Sequence, residues 1–189
     1  MVDVIVSLNP SIILGTVYTK AHASLGSCTI IYNMMKGEKL MCDGVKFPLV
    51  HIRDVLQGVM CALTQDTKVV NGKRFILDNS SFPPMTMSEI YTHVQQHNTT
   101  TSVTTTTVPP EFIISDSMFG VYLWIGRNIP FLRKSLQYNQ SVDAYAWKDF
   151  YFDNTQSKTI LGLGSGENAS YRSIDVMIKD TVESMQPYL

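Results

Sequence analysis

The chain has 189 residues, 44% of them hydrophobic and 16% charged, with 15 Lys and Arg against 16 Asp and Glu. That length suits one domain or two lobes sharing a core, and the ordinary apolar content excludes a wholly disordered chain. A net charge of −1 supplies no basic field for a phosphate backbone, which argues against nucleic acid as a partner.

Residues 2–8, VDVIVSL, form a nearly continuous β-branched and aliphatic run closed by Asn9-Pro10. Such a run predicts a strand buried on both faces of a parallel sheet. The N-terminal decapeptide has no basic region and no small-residue cleavage site, so it reads as a strand rather than a signal peptide. Residues 11–15, SIILG, stay apolar and end at a glycine. From Ser27 to Met35 the spacing of Ile30, Ile31, Met34 and Met35 predicts a helix that Gly37 stops. An Asp43-Gly44 turn divides residues 40–52 into a hairpin or two short strands. Asp54 precedes VLQGVMCAL, where Val55, Val59 and Ala62 fall at helical spacing, and reads as that helix's cap.

Asn71-Gly72 turns the chain into KRFILDN, a second apolar strand. Thr86 and Glu89 then form a capping box that opens the helix SEIYTHVQQH, completing a helix, strand, helix alternation over residues 50–97. The Thr-rich stretch 99–107 reads as an edge strand before Pro109-Pro110. Residues 111–136 predict an apolar helical region broken at Pro130. Its patch of Phe112, Ile113, Phe119, Tyr122, Leu123 and Trp124 reads as core packing rather than membrane contact, since neither flank is strongly basic. The longest apolar run, within SMFGVYLWIG, falls well short of the roughly 20 residues a bilayer requires. A short strand over 150–153, a small helix around QSKTIL ending at Gly162, and a last amphipathic helix from Ser173 to Met185 complete the chain.

Candidate chemistry is sparse. Cys28, Cys42 and Cys61 are far apart and lack C-x-x-C spacing, so they read as reduced, core-filling thiols. Four Asn-x-Ser/Thr triplets, at Asn79, Asn98, Asn139 and Asn168, read as chance matches. His93 and His97 stand four apart on one helix, yet no acidic or thiol ligand accompanies them; a solvated face is expected, and no metal site. His51 reads as a satisfied structural histidine. Gly162, Gly164 and Gly166 do not have G-x-G-x-x-G spacing and read as a loop.

Five segments taken in order resemble the C-terminal half of an extended short-chain dehydrogenase/reductase of the NAD-dependent epimerase/dehydratase superfamily. The dihydroflavonol reductase-like and 3β-hydroxysteroid dehydrogenase-like branches are nearest. The segments are DVIVSLNPSIILG (3–15), FPLVHIRDVLQGVMCAL (47–63), GKRFILDN (72–79), FYFDNTQSKTILGL (150–163) and DTVESM (180–185), and they span nearly the whole chain. The resemblance implies an α/β fold: the C-terminal part of a Rossmann-type sheet with its small substrate-binding lobe. Residues 1–15 and 72–97 would be the Rossmann remnants, with strands six and seven at 2–8 and 74–78. Residues 16–71 and 98–189 would be mostly substrate lobe.

It further implies NAD or NADP as cofactor. Pro10, Ser11 and Ile13 would line its nicotinamide end, Ser27 would reach a phosphate, and Arg53 would face the substrate. The family's glycine-rich loop and catalytic Tyr-x-x-x-Lys belong upstream of these segments, so no catalytic residue is assigned. Tyr32 and Lys36 have the right spacing but fall after strand six, where the lysine would not reach the nicotinamide ribose. The expected function is therefore the substrate-binding half of an NAD(P)-dependent oxidoreductase acting on a carbonyl or secondary alcohol. It would be inactive alone, and the missing N-terminal half or a partner chain would cover the sheet edge. A non-catalytic accessory subunit of a larger assembly is the alternative. The expected compartment is the cytoplasm, or the mitochondrion for an accessory subunit.

Overall fold

The structure is a computed structural model that describes residues 4–37, 40–41, 43–79, 81–98, 112–134, 143–144, 146–148, 151–163 and 171–189. The Thr-rich stretch, Cys42, Asn139, Asn168, Gly164 and Gly166 lie outside the described residues.

The chain opens with two short strands joined through Ser11: β1 (Ser7–Pro10) and β2 (Ile12–Leu14). They enter different sheets. β1 pairs in parallel with β5 (Arg74–Leu77), whereas β2 pairs in parallel with β4 (Leu49–His51). A third parallel pair joins β3 (Leu40–Met41) to β6 (Phe112–Ile113). Of the two readings of residues 40–52, a hairpin or two short strands, the structure has the two short strands. β3 and β4 pair with distant strands instead of each other, and β4 is buried along its whole length.

The helices are α1 (Lys20–Ala23), α2 (Cys28–Met35), α3 (Ile52–Thr64), α4 (Thr67–Val70), α5 (Met87–Asn98), α6 (Asp116–Asn128), α7 (Thr155–Leu161) and α8 (Ile174–Met185). A 3₁₀ turn at Pro130–Leu132 follows α6, where proline ends the α-helical ladder. The boundaries follow local chemistry. Ser115 and Ser173 cap α6 and α8 through their hydroxyls, and Gly162 ends α7 in the left-handed region at φ +69°. Thr86 and Glu89 form the capping box of α5: the Thr86 N–H donates to Glu89 Oε2 at 2.7 Å, and the Glu89 N–H to Thr86 Oγ1 at 3.3 Å.

Three apolar clusters hold these elements together. In the largest, α2, α5 and α8 bury Ile31, Met34, Ile90, Val94, Ile178 and Val182 against Leu14 and Leu49. The second packs α3 and α7 on one face of the β1–β5 pair through Phe75, Leu77, Leu161 and Val55. Phe119 and Leu123 of α6 anchor the third, while Trp124 on the same helix stays 60% exposed.

The opening strand departs from its reading. Residues 2 and 3 lie outside the described residues; among the rest of the run only Ser7 and Leu8 belong to the paired strand, Val4 and Ile5 are exposed, and Val6 and Leu8 are half-buried. The hydrophobic run signals burial on both faces, but α3 covers one face, and no strand pairs with the outer edge among the described residues. Nor do residues 151–153 form a strand; they run without regular structure into α7.

Candidate functional site

Ser11 stands where the chain leaves one sheet for the other. Its N–H continues the first ladder, donating to the Leu77 carbonyl at 3.0 Å, and the next N–H, from Ile12, donates to Pro48 at 3.1 Å in the second. A cleft lies on the face of the β1–β5 pair that carries Asn9, Arg74 and Ile76, and it reaches to Ser11. The cleft here has a volume of about 510 Å³. Asn9, Pro10 and Ser11 line it from β1, Arg74 from β5, and Phe152 and Asp153 from the approach to α7. Arg74 makes no ion pair with a carboxylate among the described residues. The cleft therefore offers a guanidinium, an amide, a carboxylate and an aromatic ring, while the Ser11 hydroxyl is buried towards Asp78.

Behind the cleft lies a buried polar network. Asp78, directly after β5, is 7% exposed. Burial pushes its carboxyl above the ordinary value, against the pull of the Ser11 hydroxyl, the Asn79 backbone and Lys158. Asn154 donates to the Asp78 carbonyl at 2.8 Å, and Asn79 to the Arg172 carbonyl at 2.6 Å. The Tyr171 hydroxyl is pushed up to about 12, by burial first and then by the carboxylates of Asp54 and Asp78. Asn79 is 2% exposed, its side-chain amide committed to the interior.

Asp54 does not cap α3. His51 does so, accepting the Arg53 N–H on Nδ1 at 3.1 Å. The Asp54 carboxylate is instead buried in an ion pair with the Arg172 guanidinium, and it also accepts the Arg172 N–H at 3.1 Å. His51 itself is wholly buried, with Nε2 3.3 Å from Asp180 Oδ2. Desolvation lowers its affinity for a proton, and the carboxylates of Asp180 and Asp54 only partly restore it.

Of the residues singled out in the sequence, Pro10 and Ser11 share the cleft. Ile13 lies on β2 opposite Val50, outside the cleft wall. Ser27 heads α2 with no capping bond from its side chain. Arg53 is 60% exposed, its guanidinium 3.9 Å from Asp180, and it too lies outside the wall. Tyr32 and Lys36 are held otherwise: the Tyr32 hydroxyl donates to the Tyr188 carbonyl at 3.0 Å, and the Lys36 ammonium sits 4.8 Å from the Tyr32 ring centroid. His97 is not simply solvated, since its Nε2 lies 2.8 Å from Asp175 Oδ1. No group of three metal-ligating side chains exists among the described residues.

Arg74 escaped the sequence reading, as did the hydrogen bonds by which Asn154 and Ser157 hold the Asp78 and Ile76 carbonyls of the β5 edge. Alternation in RFIL, with Phe75 and Leu77 buried and Arg74 exposed, is the signal that could have placed Arg74 on the open face.

No family model matches the sequence, and no curated protein does. Solved structures do. One described as gox2253 superposes at TM-score 0.65 with 16% identity over 95% of this chain and 48% of its own. The terminal R domain from the myxalamid PKS-NRPS biosynthetic pathway gives TM-score 0.55 and 15% identity over 94% of this chain and 42% of its own. A reductase engineered to attenuate substrate inhibition in asymmetric catalysis gives 0.49 and 15%, over 97% and 44%. The chain spans less than half the length of each of these three solved chains, and it shares with the first two an α/β fold.

Proposed function

We propose that this chain is the substrate-binding half of an NAD(P)-dependent oxidoreductase acting on a carbonyl or secondary alcohol, of the dihydroflavonol reductase-like or 3β-hydroxysteroid dehydrogenase-like kind. The observation that carries this reading is the cleft at Pro10 and Ser11, placed where β1 and β2 part into separate sheets. The fold shared with the R domain supports it.

The residues present fit one end of a dinucleotide. Pro10, Ser11 and the Asn9 amide would meet a nicotinamide, with Ile13 behind them on β2, and the uncapped start of α2 at Ser27 would face a phosphate. The bound cofactor would supply the hydride. Arg53, with its exposed guanidinium, would meet the substrate from the start of α3. No pyrophosphate cradle of G-x-G-x-x-G type is present in the sequence.

Titration of the purified chain with NADPH and NADH, alone and with a complementary nucleotide-binding half, tests this. The expected result is no turnover by the chain alone, with binding and turnover on adding the half. Reduction of a carbonyl substrate by the 189-residue chain alone would overturn the assignment.

A further inference from the structure

The corner between β4 and α3 turns on one imidazole. His51 ends β4 and has no solvent exposure. Its Nδ1 accepts the Arg53 N–H at 3.1 Å, the bond that caps α3. An accepting ring nitrogen carries no proton, so this bond exists only while the imidazole is neutral with its one N–H on Nε2. Nε2 lies 3.3 Å from Asp180 Oδ2 on α8, yet the two are not aligned for a hydrogen bond, and both atoms are buried with no such bond made.

One ring thus has two partners and completes a bond with only one of them. A second proton, placed on Nδ1, turns the acceptor into a donor that meets the Arg53 N–H head on. The cap bond is then lost, and the imidazolium gains a charge-assisted bond to Asp180. Buried polar atoms left without a bond are uncommon because each keeps its desolvation cost, and here they mark the second position of a two-position element. The charged groups that face the ring are Asp180 from α8, Asp54 and Arg53 from α3, and Arg172 from the segment ahead of α8. β2, whose end packs on the ring at Gly15, brings none.

We propose that the β4–α3 corner is a proton-operated latch: closed on neutral His51, it opens at mildly acidic pH as the ring exchanges the Arg53 N–H for the Asp180 carboxylate. The opening stays local. Asp54, next along the helix, remains tied to Arg172 by its buried ion pair and by the Arg172 N–H at 3.1 Å, so the rest of the first turn stays anchored. What is released is the Arg53 amide. The Arg53 guanidinium, 3.9 Å from the same Asp180 oxygen, yields that oxygen to the imidazolium.

The direction follows from the burial of the ring. Desolvation holds the proton affinity of the closed ring below the ordinary value of 6.5, and the two guanidiniums act the same way, while the two carboxylates oppose them. Once paired with Asp180, the ring holds a proton better than the closed ring does. The open fraction is therefore least above the ordinary value and rises as pH falls through it, by up to about tenfold per pH unit until the closed ring itself takes the proton. The inference rests on the geometry of this corner and not on the proposed activity.

Nuclear magnetic resonance and hydrogen exchange on the purified full chain test the latch. At neutral pH the ring nitrogen shifts of His51 should show a proton on Nε2 and none on Nδ1. The protection factor of the Arg53 amide, which removes the intrinsic pH dependence of exchange, should fall about tenfold between neutral pH and about pH 5.5. Low urea should leave that exchange unchanged while it speeds exchange at the core amides of Val94 and Ile178, which separates a local opening from a global one. His51→Asn keeps an acceptor at the cap and does not titrate, so Arg53 protection should stay level across the same range. A proton on Nδ1 at neutral pH, Arg53 protection indifferent to acid, or Arg53 exchange that follows the core amides in urea would each overturn the proposal. So would an acid-dependent loss that survives in the folded His51→Asn variant.

Discussion

At Asp54 the chain buries a charge that only one partner balances. The Arg172 side chain is about a third exposed (32%) while that of Asp54 is 3% exposed, so the penalty of losing the pair falls mainly on whichever group stays inside. Asp54→Asn should lower unfolding free energy by about 2–3 kcal/mol, less than for a fully buried pair because solvent reaches the arginine. Urea denaturation of the single variants and of the double variant with Arg172→Met would read the coupling between them.

His51 makes the opposite kind of statement. It is held neutral as the acceptor that caps α3, and its folded-state proton affinity lies below that of the unfolded chain. The unfolded chain therefore takes up the proton first. Stability should be complete above the ordinary value of 6.5 and be lost as pH falls from there towards the lowered folded value. Unfolding measured between neutral and mildly acidic pH should show this slope, and His51→Asn, which keeps an acceptor at the cap, should flatten it.

Single elements depend on equally local devices. Gly15 closes β2 at φ +143°, and a Cβ there would come 2.5 Å from Ile52 Cγ2. Both the conformation and the contact exclude a side chain, so Gly15→Ala should cost roughly 2 kcal/mol or more in a thermal melt. Thr86→Ala removes one half of an exposed capping box from α5 and should cost only about 1 kcal/mol, since α5 is held chiefly by Ile90 and Val94 in the main core. The capping box is legible in four residues of sequence because its partners are neighbours. The short strands are not, because a three-residue strand such as β2 is selected by its distant pairing with β4 rather than by its own propensity.

Across the whole molecule, stability should be uneven. The amides of α2, α5 and α8 lie around side chains with no solvent exposure, such as Ile31, Val94, Ile178 and Val182. Native-state hydrogen exchange should find them slowest, while the exposed amide of Val4, ahead of β1, exchanges much faster. Equal rates in the two regions would refute this division.

The sequence by itself determined the helices from α2 to α8 that carry a local signature: a Ser or Thr cap, an apolar stripe, a glycine stop. It also determined the apolar strand at β5 and the place of Pro10 and Ser11 at the end of the opening apolar run, because these depend on residues within one turn or one strand of each other. Tertiary structure alone decided that β1 and β2 part into different sheets at Ser11, and that Arg74 turns to the cleft. It alone sent Asp54 to Arg172 rather than to the helix end. Each of these pairs groups far apart in the chain, and burial, which sets both the cost of an unpaired charge and the worth of a hydrogen bond, is a property of the packed whole.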